Sequence, residues 1–188
     1  MGLIESYLFE LQEIKDSKKL YHASSHLTKT LVPRKSMIGV VPKNVKLGYS
    51  TKQWERKAIF AATEKNQAIP FGLERKNLLW PGIYTKEEVD NWKYACYLSV
   101  NKTTNILQVH YYNYKPKNSF YLYTVDSKDF KLIENSNAVE QWYSTKEILP
   151  LKVQKLFPDQ VKGSWKEITK DNWEIKKQKY MDKGYYKQ

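Results

Sequence analysis

At 188 residues, with 41% hydrophobic and 14% aromatic positions, the chain is long and apolar enough for one domain with a sizeable core, which excludes a disordered protein. A formal net charge of +12 points to an acidic partner such as a nucleic acid or a nucleotide. Almost all of that charge is lysine, with Arg34, Arg56 and Arg75 the only arginines, so it reads first as a solvated surface: specific phosphate and base recognition favours the planar guanidinium.

Leu3, Ile4, Tyr7, Leu8, Leu11 and Ile14 recur at spacings of three and four, the apolar face of a packing helix within residues 1–18. No apolar run approaches a membrane span or a signal peptide, so a cytoplasmic protein with no membrane partner is expected. Lys19-Leu20-Tyr21-His22-Ala23 reads as a first strand ending in Ser24 and Ser25. Leu31-Val32-Pro33-Arg34 is an extended element, because the proline ring keeps Val32 out of helical conformation. Residues 36–56 read as a long loop of the kind that serves as a lid.

Ala58-Ile59-Phe60-Ala61-Ala62 is the second strand, with Thr63 placed to cap a helix over 64–71 through the amide of Asn66. Leu78-Leu79-Trp80-Pro81-Gly82 reads as a turn, and Thr85 with Glu88 as a capping box for a helix over 86–92. From Tyr94 the pattern alternates with period two, predicting strands over 94–101, 106–114, 120–126, 142–144 and 148–155. Residues 101–105 and Lys115-Pro116-Lys117-Asn118 supply hairpin-like turns. Cys96 lies inside the first of these strands; alone, it makes no internal disulfide, and its apolar flanks assign it a structural role. Residues 165–183 carry weak helical periodicity. The expected organisation is a single domain over 1–188, with a core over 19–157 and a helical appendage over 158–188.

Classical dinucleotide folds and nucleoside-triphosphatases are poor readings, because the 7 glycines do not cluster into a phosphate loop. His26 and His110 have no partners at metal-ligand spacing, so no metal is expected. What stands out is His22 at a strand end, followed by Phe60 and Phe71 with ten residues between them. Each has an ordinary explanation: a satisfied strand-end histidine, and a core strand followed by a packing helix.

Taken together and in order, Leu20-Tyr21-His22-Ala23-Ser24-Ser25, Leu31-Val32-Pro33-Arg34, Ile59-Phe60-Ala61-Ala62-Thr63 to Phe71, Tyr121 to Asp126 and Glu140-Gln141-Trp142 resemble a small bacterial or phage member of the ADP-ribosyltransferase-like superfamily. The resemblance covers about residues 19–155. It implies an α+β fold with a split antiparallel sheet and short flanking helices. It also implies NAD as substrate and an ADP-ribose acceptor that is a protein, a nucleic acid, a small molecule or water. His22 would hold ribose hydroxyls, and the Ala23 backbone, flanked by Ser24, would face the nicotinamide amide. Phe60 and Phe71, with Ala62 beside them, match the two tyrosines of diphtheria-toxin-like members, keeping the stacking ring and losing the phenol hydrogen bond. Ala23 stands where the family commonly has glycine, which narrows the space for a ring against the backbone. Arg34 would take the pyrophosphate. Cleaving the glycosidic bond develops positive charge on the ribose, which a carboxylate stabilises. Glu140 is the expected carboxylate, with Glu147 its competitor. Two other readings stay open: an inactive module of the same fold that binds nucleic acid or protein through lysines, and, less well matched in arginines, an RNA 2′-phosphotransferase.

Overall fold

The computed structural model describes residues 17–35, 57–79, 86–98, 106–133, 141–161 and 163–182. The expected helix over 3–15, the loop over 36–56, Trp80 to Gly82, Thr85, the turn over 101–105 and Glu140 lie outside the described residues.

The protein is α+β. Strand β1 (Lys19–Ser24) alternates between two apolar faces, with Leu20 and Ala23 fully sequestered. It pairs antiparallel along its whole length with β7 (Phe120–Asp126), from Lys19 opposite Asp126 to Ser24 opposite Tyr121. β7 in turn pairs with the edge strand β10 (Lys152–Leu156). On the other side of β1 come β3 (Lys57–Ala62), β9 (Gln141–Ser144) and the two-residue edge strand β8 (Lys131–Leu132). The two-residue β2 (Arg34–Lys35) also pairs with β3, completing a seven-stranded sheet.

A second, four-stranded sheet runs in the order β11 (Gly163–Glu167), β6 (Leu107–Tyr111), β5 (Tyr94–Leu98) and β4 (Leu78–Leu79). It is mixed: β5 and β6 are antiparallel, while both outer strands run parallel to their neighbours. The sheets share a core in which Ala23, Phe120 and Leu122 meet Tyr94, Cys96, Leu107 and Val109. The opposite face of the large sheet packs Leu20, Ile59, Ala61, Tyr123 and Val125 with Leu31, Phe130 and Ile148, and Leu31 and Ile148 exchange backbone hydrogen bonds at 2.9 Å.

Several local expectations are corrected. The helix expected over 64–71 is one turn, α1 (Lys65–Ala68), followed by a 3-10 turn over Ile69–Phe71. Its N-cap is Glu64 without a side-chain cap bond, so Thr63 does not cap it; Pro70 has no amide to extend an α-helix and suits the tighter turn. Leu78 and Leu79 form strand β4 rather than a turn, both buried. Helix α2 (Lys86–Asn91) lies where one was expected. Lys115 to Asn118 does not close a hairpin, because β6 and β7 belong to different sheets and the segment carries the chain between them. Of the stretch read as helical over 165–183, residues 165–167 belong to strand β11; only α3 (Lys170–Met181) is helix, capped by the Thr169 hydroxyl accepting from the Asn172 amide. Trp173 of α3 is buried against Leu79, Val89, Trp92 and Ala95. Among the described residues no helix is long and apolar enough to cross a membrane.

Candidate functional site

The large sheet has a seam. β1 and β3 form a ladder of a single residue pair, Tyr21 opposite Ala62, whereas β3 pairs along Ile59 to Ala62 with β9. Continuing the antiparallel count, His22 would face Ala61 and then Ala23 would face Phe60. Instead the Phe60 carbonyl accepts from His22 Nδ1 at 2.8 Å, a side chain of β1 reaching the backbone of β3. A carbonyl only accepts, so the Nδ1 atom carries the hydrogen and Nε2 of the neutral ring is an acceptor. Burial holds His22 below the usual histidine range, the Phe60 bond opposes this, and the positive charge of Arg34 adds to the lowering. The imidazole is therefore neutral at pH 7, with its tautomer fixed by the strand beside it.

Strand alternation sorts the expected site residues. His22 lies with Leu20 on the face where the Tyr123 ring sits 5.9 Å away, tilted by 50°. Tyr123 is itself pinned, its hydroxyl donating to the His26 carbonyl at 2.8 Å and accepting from the Thr28 amide at 2.9 Å. Ala23 and, across the seam, Phe60 and Ala62 lie on the opposite face, because neighbouring strand residues point to opposite sides. His22 thus meets Phe60 through its backbone and not through its ring. The Ser24 hydroxyl accepts from the His26 amide at 3.1 Å and ends β1. Arg34, exposed on β2 opposite Ala58, stands near enough to act on His22. Phe71 closes the 3-10 turn that packs over β1, with the Arg75 guanidinium 5.8 Å from its ring centre. Glu147 is exposed just before Ile148. Glu140 immediately precedes Gln141, the residue of β9 opposite Ala62.

The Ala23 methyl does not narrow the seam as expected. It is 3% exposed and points into the core, where Gly72 leaves it room: a Cβ built on Gly72 would stand 3.1 Å from the Ala23 Cβ.

Three features were not foreseen. Tyr21, beside His22 in the same motif, lies half-buried on the Ala23 face with the Lys65 ammonium 5.5 Å from its ring centre; period-two alternation applied to β1 would have found it. Gln67 on α1 and Gln141 on β9 each bury a side-chain carbonyl oxygen without a hydrogen bond. Glu74, three residues past Phe71, is a clamp. Its carboxylate accepts from the Tyr114 hydroxyl, from the Asn118 and Lys117 amides at 3.1 and 3.4 Å, and from Asn77 Nδ2 at 3.3 Å, while its backbone carbonyl accepts from the Tyr94 hydroxyl at 2.6 Å. Burial raises the Glu74 pKa, but the Tyr114, Asn118, Lys117 and Asn77 bonds outweigh it, and the carboxyl ends below its ordinary value. Nothing local in Leu73-Glu74-Arg75-Lys76 distinguishes it from a solvated turn carboxylate.

Cys96 is buried and its thiol is pushed up to about 12 by burial, which makes it inert. Among the described residues no three His, Cys, Asp or Glu side chains gather to hold a metal. No family model, no curated protein and no solved structure matches the chain.

Proposed function

We propose that the chain binds NAD at the β1–β3 seam, cleaves the bond between nicotinamide and ribose, and passes ADP-ribose to an acceptor or to water. The observation that carries this reading is the His22 to Phe60 bond, which fixes the tautomer and leaves Nε2 of the neutral ring as an acceptor. An acceptor nitrogen held there in one tautomer suits the donating hydroxyl of a ribose. In the reaction the glycosidic C–N bond breaks, nicotinamide leaves with the electron pair, and the acceptor bonds to the ribose carbon as it loses its proton. Glu140, next to Gln141 opposite Ala62, is the carboxylate assigned to the positive charge that develops.

The chain's own groups fit the dinucleotide. Gln67 and Gln141 each hold a buried carbonyl oxygen without a hydrogen bond on the elements beside the seam. Arg34, close enough for its charge to act on His22, offers a fork to the pyrophosphate.

The test follows nicotinamide release and NAD binding in the wild type and in Glu140→Ala. The wild type is expected to bind and release nicotinamide, and the variant to bind NAD while release falls about 100-fold or more. No binding and no release by the wild type would overturn the reading. Binding without release, equal in both proteins, would favour a second reading, an inactive module of this type; the Arg75 cation already lying over the Phe71 ring is what recommends it.

A further inference from the structure

The outer edge of the large sheet carries a groove on the far side of β9 from the seam. It is a cavity of about 370 Å³ whose lining includes Lys128, Asp129, Lys131, Tyr143, Thr145 and Lys146. Three lysines face one carboxylate, and that carboxylate is already engaged, since Asp129 accepts from Lys146 Nζ at 3.0 Å. Lys128 and Lys131 are exposed, and the Lys146 side chain keeps 72% of its surface in solvent. The aromatic member is half-buried Tyr143, and register places it in line with the seam. Tyr143 pairs with Phe60 on one side and with Lys131 on the other, so Phe60, Tyr143 and Lys131 form one row on one face of the sheet.

We infer that this groove binds the backbone of single-stranded nucleic acid, with Lys128, Lys131 and Lys146 on phosphates and Tyr143 offering a ring to a base. An acidic peptide would satisfy the lysines but has no use for the ring, whereas a base stacks on any aromatic face. The volume, near the low end for small-molecule sites, takes about one nucleotide unit and does not suit a duplex. Lysine without arginine in the lining gives point charges rather than forks, so binding is expected to be strongly salt-dependent and weakly sequence-dependent. The net charge of +12 adds a long-range attraction for the same ligand. The site stands whether or not the seam takes NAD. If both hold, the nucleic acid lies along the same row as the proposed ADP-ribose donor and is the acceptor class.

The experiment measures anisotropy of a short labelled oligothymidine over a salt series. It compares the wild type, the triple variant Lys128→Ala/Lys131→Ala/Lys146→Ala, Tyr143→Leu, and a control triple variant Lys152→Ala/Lys155→Ala/Lys166→Ala with the same change in net charge. The groove triple is expected to reduce the slope of log affinity against log salt by about 2, at about 0.7 for each phosphate no longer neutralised by a lysine. Tyr143→Leu should weaken binding on the order of tenfold with the slope kept. The control should keep the wild-type slope. An equal loss in the control triple, full affinity in Tyr143→Leu, or polyglutamate competing as well as unlabelled oligothymidine would each overturn the assignment. None of these outcomes depends on NAD, so failure here is distinct from failure at the seam.

Discussion

Gly72→Ala is the most direct probe of how β1 packs against the turn after Phe71. Gly72 has ordinary helical dihedrals, φ −89° and ψ −20°, so alanine is free to adopt its backbone conformation. On that ground alone the substitution would stabilise by about 0.4–1 kcal/mol through the unfolded chain. Packing decides otherwise. The new methyl would stand 2.7 Å from Phe120 Cδ2, 3.1 Å from Phe120 Cγ and 3.1 Å from the Ala23 Cβ. The Phe120 ring is fully buried between the two sheets and has no free end to swing away. Overpacking against a ring that cannot move falls in the upper part of the usual range, about 2–3 kcal/mol, and subtracting the backbone gain leaves a net loss of about 1–2 kcal/mol. For a chain of this length that lowers Tm by about 2–8 °C. Thermal and urea unfolding of the wild type, Gly72→Ala, Phe120→Leu and the double variant measure it. Phe120→Leu destabilises alone but makes room, so the double variant should be more stable than the sum of the two losses. A neutral or stabilising Gly72→Ala, or simple additivity in the double variant, would refute the packing account of this corner.

Two further outcomes follow from the clamp and the imidazole. Glu74→Ala removes the acceptor for the Tyr114 hydroxyl and for the Asn118 amide, and should cost about 2–3 kcal/mol, with Tyr114→Phe costing about 1 kcal/mol; in urea unfolding, Tyr114→Phe added to Glu74→Ala should change little, since the bond is already gone. His22 is held below its ordinary 6.5 in the folded state, so the unfolded chain binds its proton more readily. The stability this gives is full above about pH 6.5 and declines as pH falls towards the folded-state value. His110 is lowered by burial and by Lys176 and Lys166 and acts in the same direction, so His22→Gln should flatten only part of the acid-side decline, and His22→Gln/His110→Gln more of it. A wild-type urea midpoint that does not fall between pH 6.5 and 5.5 would contradict the buried, neutral imidazole.

The parts of the fold legible in the sequence are those where one strand carries its own alternation. Lys19 to Ala23, Ala58 to Ala62 and Phe120 to Asp126 each repeat apolar residues on the face they bury, and each is a strand. The strands that escaped are made by their neighbours. β4 and β8 have two residues each, too few to show a period, and exist because β5 and β9 offer them an edge. Trp165 sits among Gly163, Lys166 and Glu167, a stretch with no strand signature, and becomes a strand through parallel pairing with β6. Lys115-Pro116-Lys117-Asn118 has turn composition, but composition says only that the chain changes direction. That it leaves one sheet for the other is not in that composition, nor is the Glu74 carboxylate, about forty residues earlier, that accepts from the loop's amides.

The same distinction explains the site. That His22 and Phe60 lie on separate strands was readable from the sequence; that they meet through a carbonyl was not, because it depends on the register between β1 and β3 stopping after Tyr21 and Ala62. Ala23 makes the case most sharply. Against a family pattern with glycine at that place, a methyl looks like an obstruction in the cleft. In the fold the methyl is turned away from the seam, into a core where the missing side chain has moved to Gly72, forty-nine positions on in the chain. One small residue is needed where β1 meets the turn after Phe71, and the pair supplies it from the other side. The Ala23 methyl is therefore filled core space, matched by the bare Gly72 across from it.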